Sequence, residues 1–102
     1  MNRVVITGLG IVSSIGNNAK EVLASLQAGK SGITSNADMI EYGFRSQVAG
    51  DIKLDVKDFV DKRALRFMGP GAAYAHIAME QAIKDAGLEE NEISNFRTGL
   101  IA

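Results

Sequence analysis

The stretch Arg3-Val4-Val5-Ile6-Thr7-Gly8-Leu9-Gly10-Ile11-Val12-Ser13-Ser14-Ile15-Gly16-Asn17-Asn18 joins an apolar, β-branched run to closely spaced glycines and then to a helix start. The run Val4-Val5-Ile6 is continuous rather than alternating, which predicts a strand buried on both faces. Gly8 and Gly10 have no Cβ, so the backbone can turn sharply there or let another segment approach closely. Asn18 is placed as a helix N-cap, and Glu21, three residues on, is placed as the carboxylate of a capping box. Strand, glycine turn and capped helix together predict an α/β protein.

Two glycines after a first strand also raise the possibility of a dinucleotide-binding turn, Gly-x-Gly-x-x-Gly. Gly8 and Gly10 fit that pattern, but Ser13 stands at the third position and the helix begins several residues too late. The acidic residue expected about 20 positions further on is missing as well. Glu21 is too close and lies in the helix, and Asp38 lies outside any convincing strand. The spacing therefore argues against a nucleotide site.

Outward from this stretch, Ala19 to Ala28 reads as a helix with Val22, Leu23 and Leu26 on one stripe and Gly29 ending it in the left-handed conformation. Ser31 to Gly43 has the composition of a loop or short irregular elements. Phe44 to Ile52 alternates enough for a strand. Asp55 to Phe67 reads as a short charged helix or turn. Gly69-Pro70-Gly71 interrupts the chain, with Pro70 suited to the first turn of a helix. Ala72 to Ala86 is the clearest helix, with six alanines that favour helix and permit close packing. Gly87-Leu88 is a Schellman-type ending. Arg97 to Ala102 reads as another apolar strand, and its abrupt end at Leu100-Ile101-Ala102 suggests an amino-terminal piece of a longer protein.

At 102 residues the chain suffices for one small domain and is too short for two. A chain of this size that closes on itself buries roughly 60–70% of its unfolded surface. Eleven basic and twelve acidic residues give a net charge of −1, so no global field favours nucleic acid or an anionic membrane. No apolar run approaches the roughly 20 residues that span a bilayer, and the start lacks the long apolar segment of a secretory signal. The absence of cysteine excludes a disulfide framework and thiolate metal sites, and is compatible with the cytoplasm. Asp and Glu residues show no metal-ligand spacing, and no cofactor is implied. Ser13, Ser14 and Ser31 have no accompanying base, which argues against a serine nucleophile.

Three ordered blocks of the chain are similar to the amino terminus of β-ketoacyl-acyl carrier protein synthases, the condensing enzymes of fatty-acid synthesis. The first runs from Arg3 to Ile33 and ends Leu26-Gln27-Ala28-Gly29-Lys30-Ser31-Gly32-Ile33. The second comprises Lys62-Arg63-Ala64-Leu65-Arg66-Phe67-Met68 and Ala78-Met79-Glu80-Gln81-Ala82-Ile83-Lys84-Asp85-Ala86-Gly87-Leu88. The third is Arg97-Thr98-Gly99-Leu100-Ile101-Ala102. Val12 to Asn18, Arg45-Ser46 and Arg66-Phe67-Met68 most resemble synthase I, with synthase II next. The resemblance implies a thiolase-like α/β fold, of which residues 1–102 would be only part of the first half. It also implies a cytoplasmic homodimer that performs a decarboxylating Claisen condensation with acyl carrier protein as partner.

That chemistry needs a cysteine thiolate, two histidines and oxyanion donors. With no cysteine and one histidine, this chain contains none of the catalytic residues; they are expected beyond Ala102, and 102 residues alone are expected to be inactive. His76, in the alanine-rich helix, reads as a structural histidine without a nearby nucleophile or orienting carboxylate; Tyr74 and Met79 read as packing residues. Lys62, Arg63 and Arg66, at i, i+1 and i+4, share roughly one helix face. Read from the residues alone, Asp58 and Asp61 make this an ordinary solvated face of mixed charge. By resemblance, the same three cations help dock the acidic carrier protein. A non-catalytic carrier-protein-binding piece is the alternative reading.

Overall fold

The computed structural model describes residues 1–102 throughout. It contains helices α1 (Ala19–Gln27), α2 (Ala37–Glu41), α3 (Lys62–Leu65), α4 (Pro70–Ala86) and α5 (Glu90–Ile93), with strands β1 (Ile33–Ser35) and β2 (Val48–Gly50). A single 3-10 turn spans Val56–Asp58.

Local chemistry sets the ends of the two long helices. The Asn18 side chain accepts from the Glu21 N–H at 3.0 Å, capping α1 as expected. The Glu21 carboxylate reaches back one residue further than a standard capping box and accepts from the Asn17 N–H at 2.7 Å. Past the end of α1, Gly29 has φ +61°, and the Gly29 and Lys30 N–H groups donate to Leu26 and Ser25, a Schellman pair. Pro70 opens α4, where its missing N–H has no helical acceptor to satisfy. Gly87, at φ +67°, closes it, and the Leu88 N–H donates to the Ile83 carbonyl at 3.2 Å.

The alternating segment holds a strand, β2, which pairs antiparallel with β1 in the register Ile33↔Gly50, Thr34↔Ala49 and Ser35↔Val48. Two short helices lie where the sequence suggested loop or gave no reading. Helix α2 is capped by Asn36, whose side chain accepts from Met39 N–H at 3.0 Å, and ends at Gly43 (φ +67°). Helix α5 starts with the Glu89 N–H donating to the Glu92 carboxylate at 2.9 Å. Each is one turn or little more, too short to show a hydrophobic period.

The two apolar strands expected at Val4–Ile6 and Arg97–Ala102 are not formed. Val4, Ile6 and Ile101 are more than nine-tenths exposed, and no strand of this chain lies beside either segment to accept their backbone groups. Instead the chain from Gly8 to Ile11 runs along α4 in the opposite direction. The Leu9 N–H donates to Asp85 Oδ2 at 2.9 Å and the Ile11 N–H to Gln81 Oε1 at 3.1 Å. Gln81 Nε2 in turn donates to the Asn17 carbonyl at 2.7 Å. A Cβ at Gly8 or Gly10 would run into the carbonyls of Ala82 and Ala78, so the absence of side chains is what allows this approach.

Only Ser25, Val60, Ala73 and Ile77 are buried. The accessible surface is 8671 Å2, whereas a self-contained protein of this mass exposes about 5,600 Å2. Folding hides only about 45% of the roughly 15,800 Å2 of the extended chain, short of the expected 60–70%. The radius of gyration, 16.9 Å, likewise exceeds the approximately 13 Å of a compact domain of this length.

Candidate functional site

Lys62, Arg63 and Arg66 come together on α3 and its C-cap. Val60 is buried and Ala64 and Leu65 are half-buried, so the turn rests on its apolar side while all three cations are exposed. Neither Asp58 nor Asp61 forms an ion pair with them; the chain's one such contact is His76 Nε2 with Glu80 Oε1 at 3.3 Å. The expected mixed face therefore leaves three positive charges uncompensated by direct contact. Three cations on one exposed turn can orient an acidic partner and raise its encounter rate.

The glycine stretch serves packing. Gly8 and Gly10 face the middle and end of α4, and the neighbouring Leu9 and Ile11 N–H groups are taken by Asp85 and Gln81. Helix α1 starts at Ala19, nine residues beyond Gly10, so the glycines do not deliver a ligand to its N-terminus. Sequence reasoning missed Gln81 and Asp85 as the residues that bind this segment. Their signal is the four-residue step Ile77-Gln81-Asp85 beside Ala78-Ala82-Ala86, which marks two polar side chains on a packing face. It also missed Ser25, whose buried hydroxyl donates to the Ile15 carbonyl at 2.6 Å and fixes the tight turn Ser13–Gly16.

His76 does have a carboxylate partner, Glu80, contrary to expectation; the pair lies at i, i+4 on the open side of α4, where both side chains are well exposed. No nucleophile accompanies them, and the chain has no cysteine. No cluster of three His, Asp or Glu side chains could hold a metal ion, and no helix is long and apolar enough to cross a membrane.

Residues 1–102, the whole chain, match the family described as beta-ketoacyl synthase, N-terminal domain. The chain belongs to this family. It is 57% identical to 3-oxoacyl-[acyl-carrier-protein] synthase 1 of Haemophilus influenzae over 101 residues, which are 99% of this chain and 25% of that protein. The corresponding synthase 1 of Escherichia coli K12 is 55% identical over 103 residues, 100% of this chain and again 25% of the relative. Synthase 2 of Staphylococcus aureus is 35% identical over 96% of this chain and 24% of its own length. Similarity is thus much higher to synthase 1 than to this synthase 2, as the residues around Ser13 and Arg66 suggested. Among solved structures, the ishigamide ketosynthase/chain length factor superposes with a TM-score of 0.73 and 34% identity, over 84% of this chain and 22% of that one. The chain spans about a quarter of the length of these family members.

Proposed function

We propose that this chain is the first part of a β-ketoacyl-acyl carrier protein synthase of type I, a cytoplasmic homodimer with the thiolase-like α/β fold. The observation that carries this reading is the similarity to synthase 1 along the full chain, at 57% identity. The reaction is a decarboxylating Claisen condensation in fatty-acid synthesis. A cysteine thiolate takes the acyl group, malonyl-carrier protein loses carbon dioxide, and the resulting carbanion attacks the acyl thioester and expels the thiolate. These 102 residues hold no cysteine, so their share is structural and positional, and they do not condense substrates by themselves.

Lys62, Arg63 and Arg66 dock acyl carrier protein. Their exposure and the absence of ion-pair partners support this role. Reversing all three to glutamate in the intact enzyme raises KM for carrier-protein substrates by about tenfold or more, and small pantetheine thioesters are turned over nearly as before. Equal effects on both substrate types, or none on either, would refute the docking role. An intact protein that binds carrier protein without releasing carbon dioxide from malonyl-carrier protein would establish the non-catalytic alternative.

A further inference from the structure

We propose that Asn17 is a positioning residue for the basic turn on α3: its side chain ties the connector leading to that turn onto the segment held by α4. This inference rests on the docking role of Lys62, Arg63 and Arg66. The main chain of Asn17 is fixed on both sides, its N–H donating to Glu21 Oε2 and its carbonyl accepting from Gln81 Nε2, each at 2.7 Å. From that fixed point Asn17 Nδ2 donates to the Lys53 carbonyl at 3.0 Å, joining positions far apart in sequence. Asn17 caps no helix, since the cap of α1 is Asn18, and its φ is not positive. The common local reasons for asparagine in a turn are therefore absent, and the bond to Lys53 is the one hydrogen bond that its side chain makes.

Beyond Lys53 the connector has few free joints before α3. Residues 51–56 alternate exposed and half-buried, so Ile52, Leu54 and Val56 lie on its covered side. Asp55 Oδ1 accepts from the Lys57 N–H at 3.0 Å and starts the 3-10 turn, and the Val60 N–H donates to the Val56 carbonyl at 2.9 Å. Val60 is buried, and the Leu65 N–H donates to the Asp61 carbonyl at 3.0 Å, so α3 follows directly. A displaced Lys53 thus shifts a short, internally bonded unit that carries the three cations, rather than being absorbed in slack chain. Burial of Val60 sets the depth of that unit, and the directed bond from Asn17 sets where it enters and so how the cations are turned. Orientation matters here because charges at an interface set register and encounter more than raw affinity.

The test is steady-state kinetics of the intact enzyme with carrier-protein and with pantetheine substrates. Asn17→Ala keeps both main-chain bonds; it is expected to raise KM for carrier-protein substrates about threefold to tenfold, as loss of one hydrogen bond implies, with kcat and pantetheine turnover unchanged. Asn17→Asp keeps the shape, removes the donor and is expected to give the same rise. Asn18→Ala is the control for stability: it removes the cap of α1 and lowers the melting temperature without raising that KM. With Lys62, Arg63 and Arg66 already reversed to glutamate, Asn17→Ala should raise KM no further, because it acts only through those cations. The positioning role is overturned by a KM indifferent to both Asn17 substitutions, by an equal rise in Asn18→Ala, or by an Asn17 effect that persists in full after the reversal. If the reversal itself leaves KM unchanged, the docking role falls and this inference with it, so the two failures are told apart.

Discussion

Gly10 lies where the main chain passes α4 so closely that even a methyl group would meet the Ala78 carbonyl. The obstructing atom belongs to a helix backbone, which cannot rotate aside as a side chain can. Gly10→Ala is therefore expected to destabilise the intact protein by roughly 1–3 kcal/mol, toward the upper end of the range for overpacking. Gly69 offers the comparison: an added Cβ there meets nothing within 4 Å, and its φ of −72° suits any residue. Chemical denaturation of both alanine variants decides the matter. Equal midpoints would mean that the glycine stretch does not pack on α4 in the intact protein. At this scale the sequence showed that a close approach or a turn was needed at Gly8 and Gly10. It did not show which helix approaches, because the contact joins residues about seventy positions apart.

At the scale of elements, the long helices were legible and the shortest ones were not. Asn18, Gly29, Pro70 and Gly87 act within a few residues of themselves, so their roles follow from local geometry and are seen in the structure. Gly87 gives a graded test. At φ +67° an alanine there pays the left-handed penalty of about 1 kcal/mol or more, whereas asparagine tolerates the conformation better. Thermal melting of the intact protein should rank glycine above asparagine above alanine; alanine equal to glycine would mean that the helix end rearranges freely. Helices α2 and α5 escaped notice because one turn of helix carries no period, although Asn36 and Gly43 are ordinary start and stop residues around α2. The basic turn on α3 lies within the segment read as a short charged helix or turn, and its three cations are exposed. Whether Asp58 and Asp61 neutralise it could not be read from spacing alone, since i, i+4 charges pair only if their side chains turn toward each other.

The whole molecule exposes some 3,000 Å2 more than a self-contained protein of its mass, an excess as large as an obligate protein interface. Val4, Ile6, Phe67, Phe96 and Ile101 are each more than nine-tenths exposed, and Val60, Ala73 and Ile77 are the only buried apolar residues. Three such side chains cannot offset the conformational entropy of ordering 102 residues. The chain expressed alone is thus expected to melt without a cooperative transition and to give poorly dispersed amide NMR signals. A sharp melt from a monomer would contradict this and show that the 102 residues are a folding unit. What the sequence by itself determined is the family, the two long helices with their caps, and the clustering of Lys62, Arg63 and Arg66, because motifs, caps and helical periods are local. Only the tertiary structure decided that Val4–Ile6 and Arg97–Ala102 stay unpaired and that Gln81 and Asp85 hold the amino-terminal segment. It also brought Ser14, Lys30 and Lys53, distant in sequence, to the lining of one cavity. Strand pairing and cavity walls depend on which distant segments meet, and that is fixed by packing rather than by local propensity.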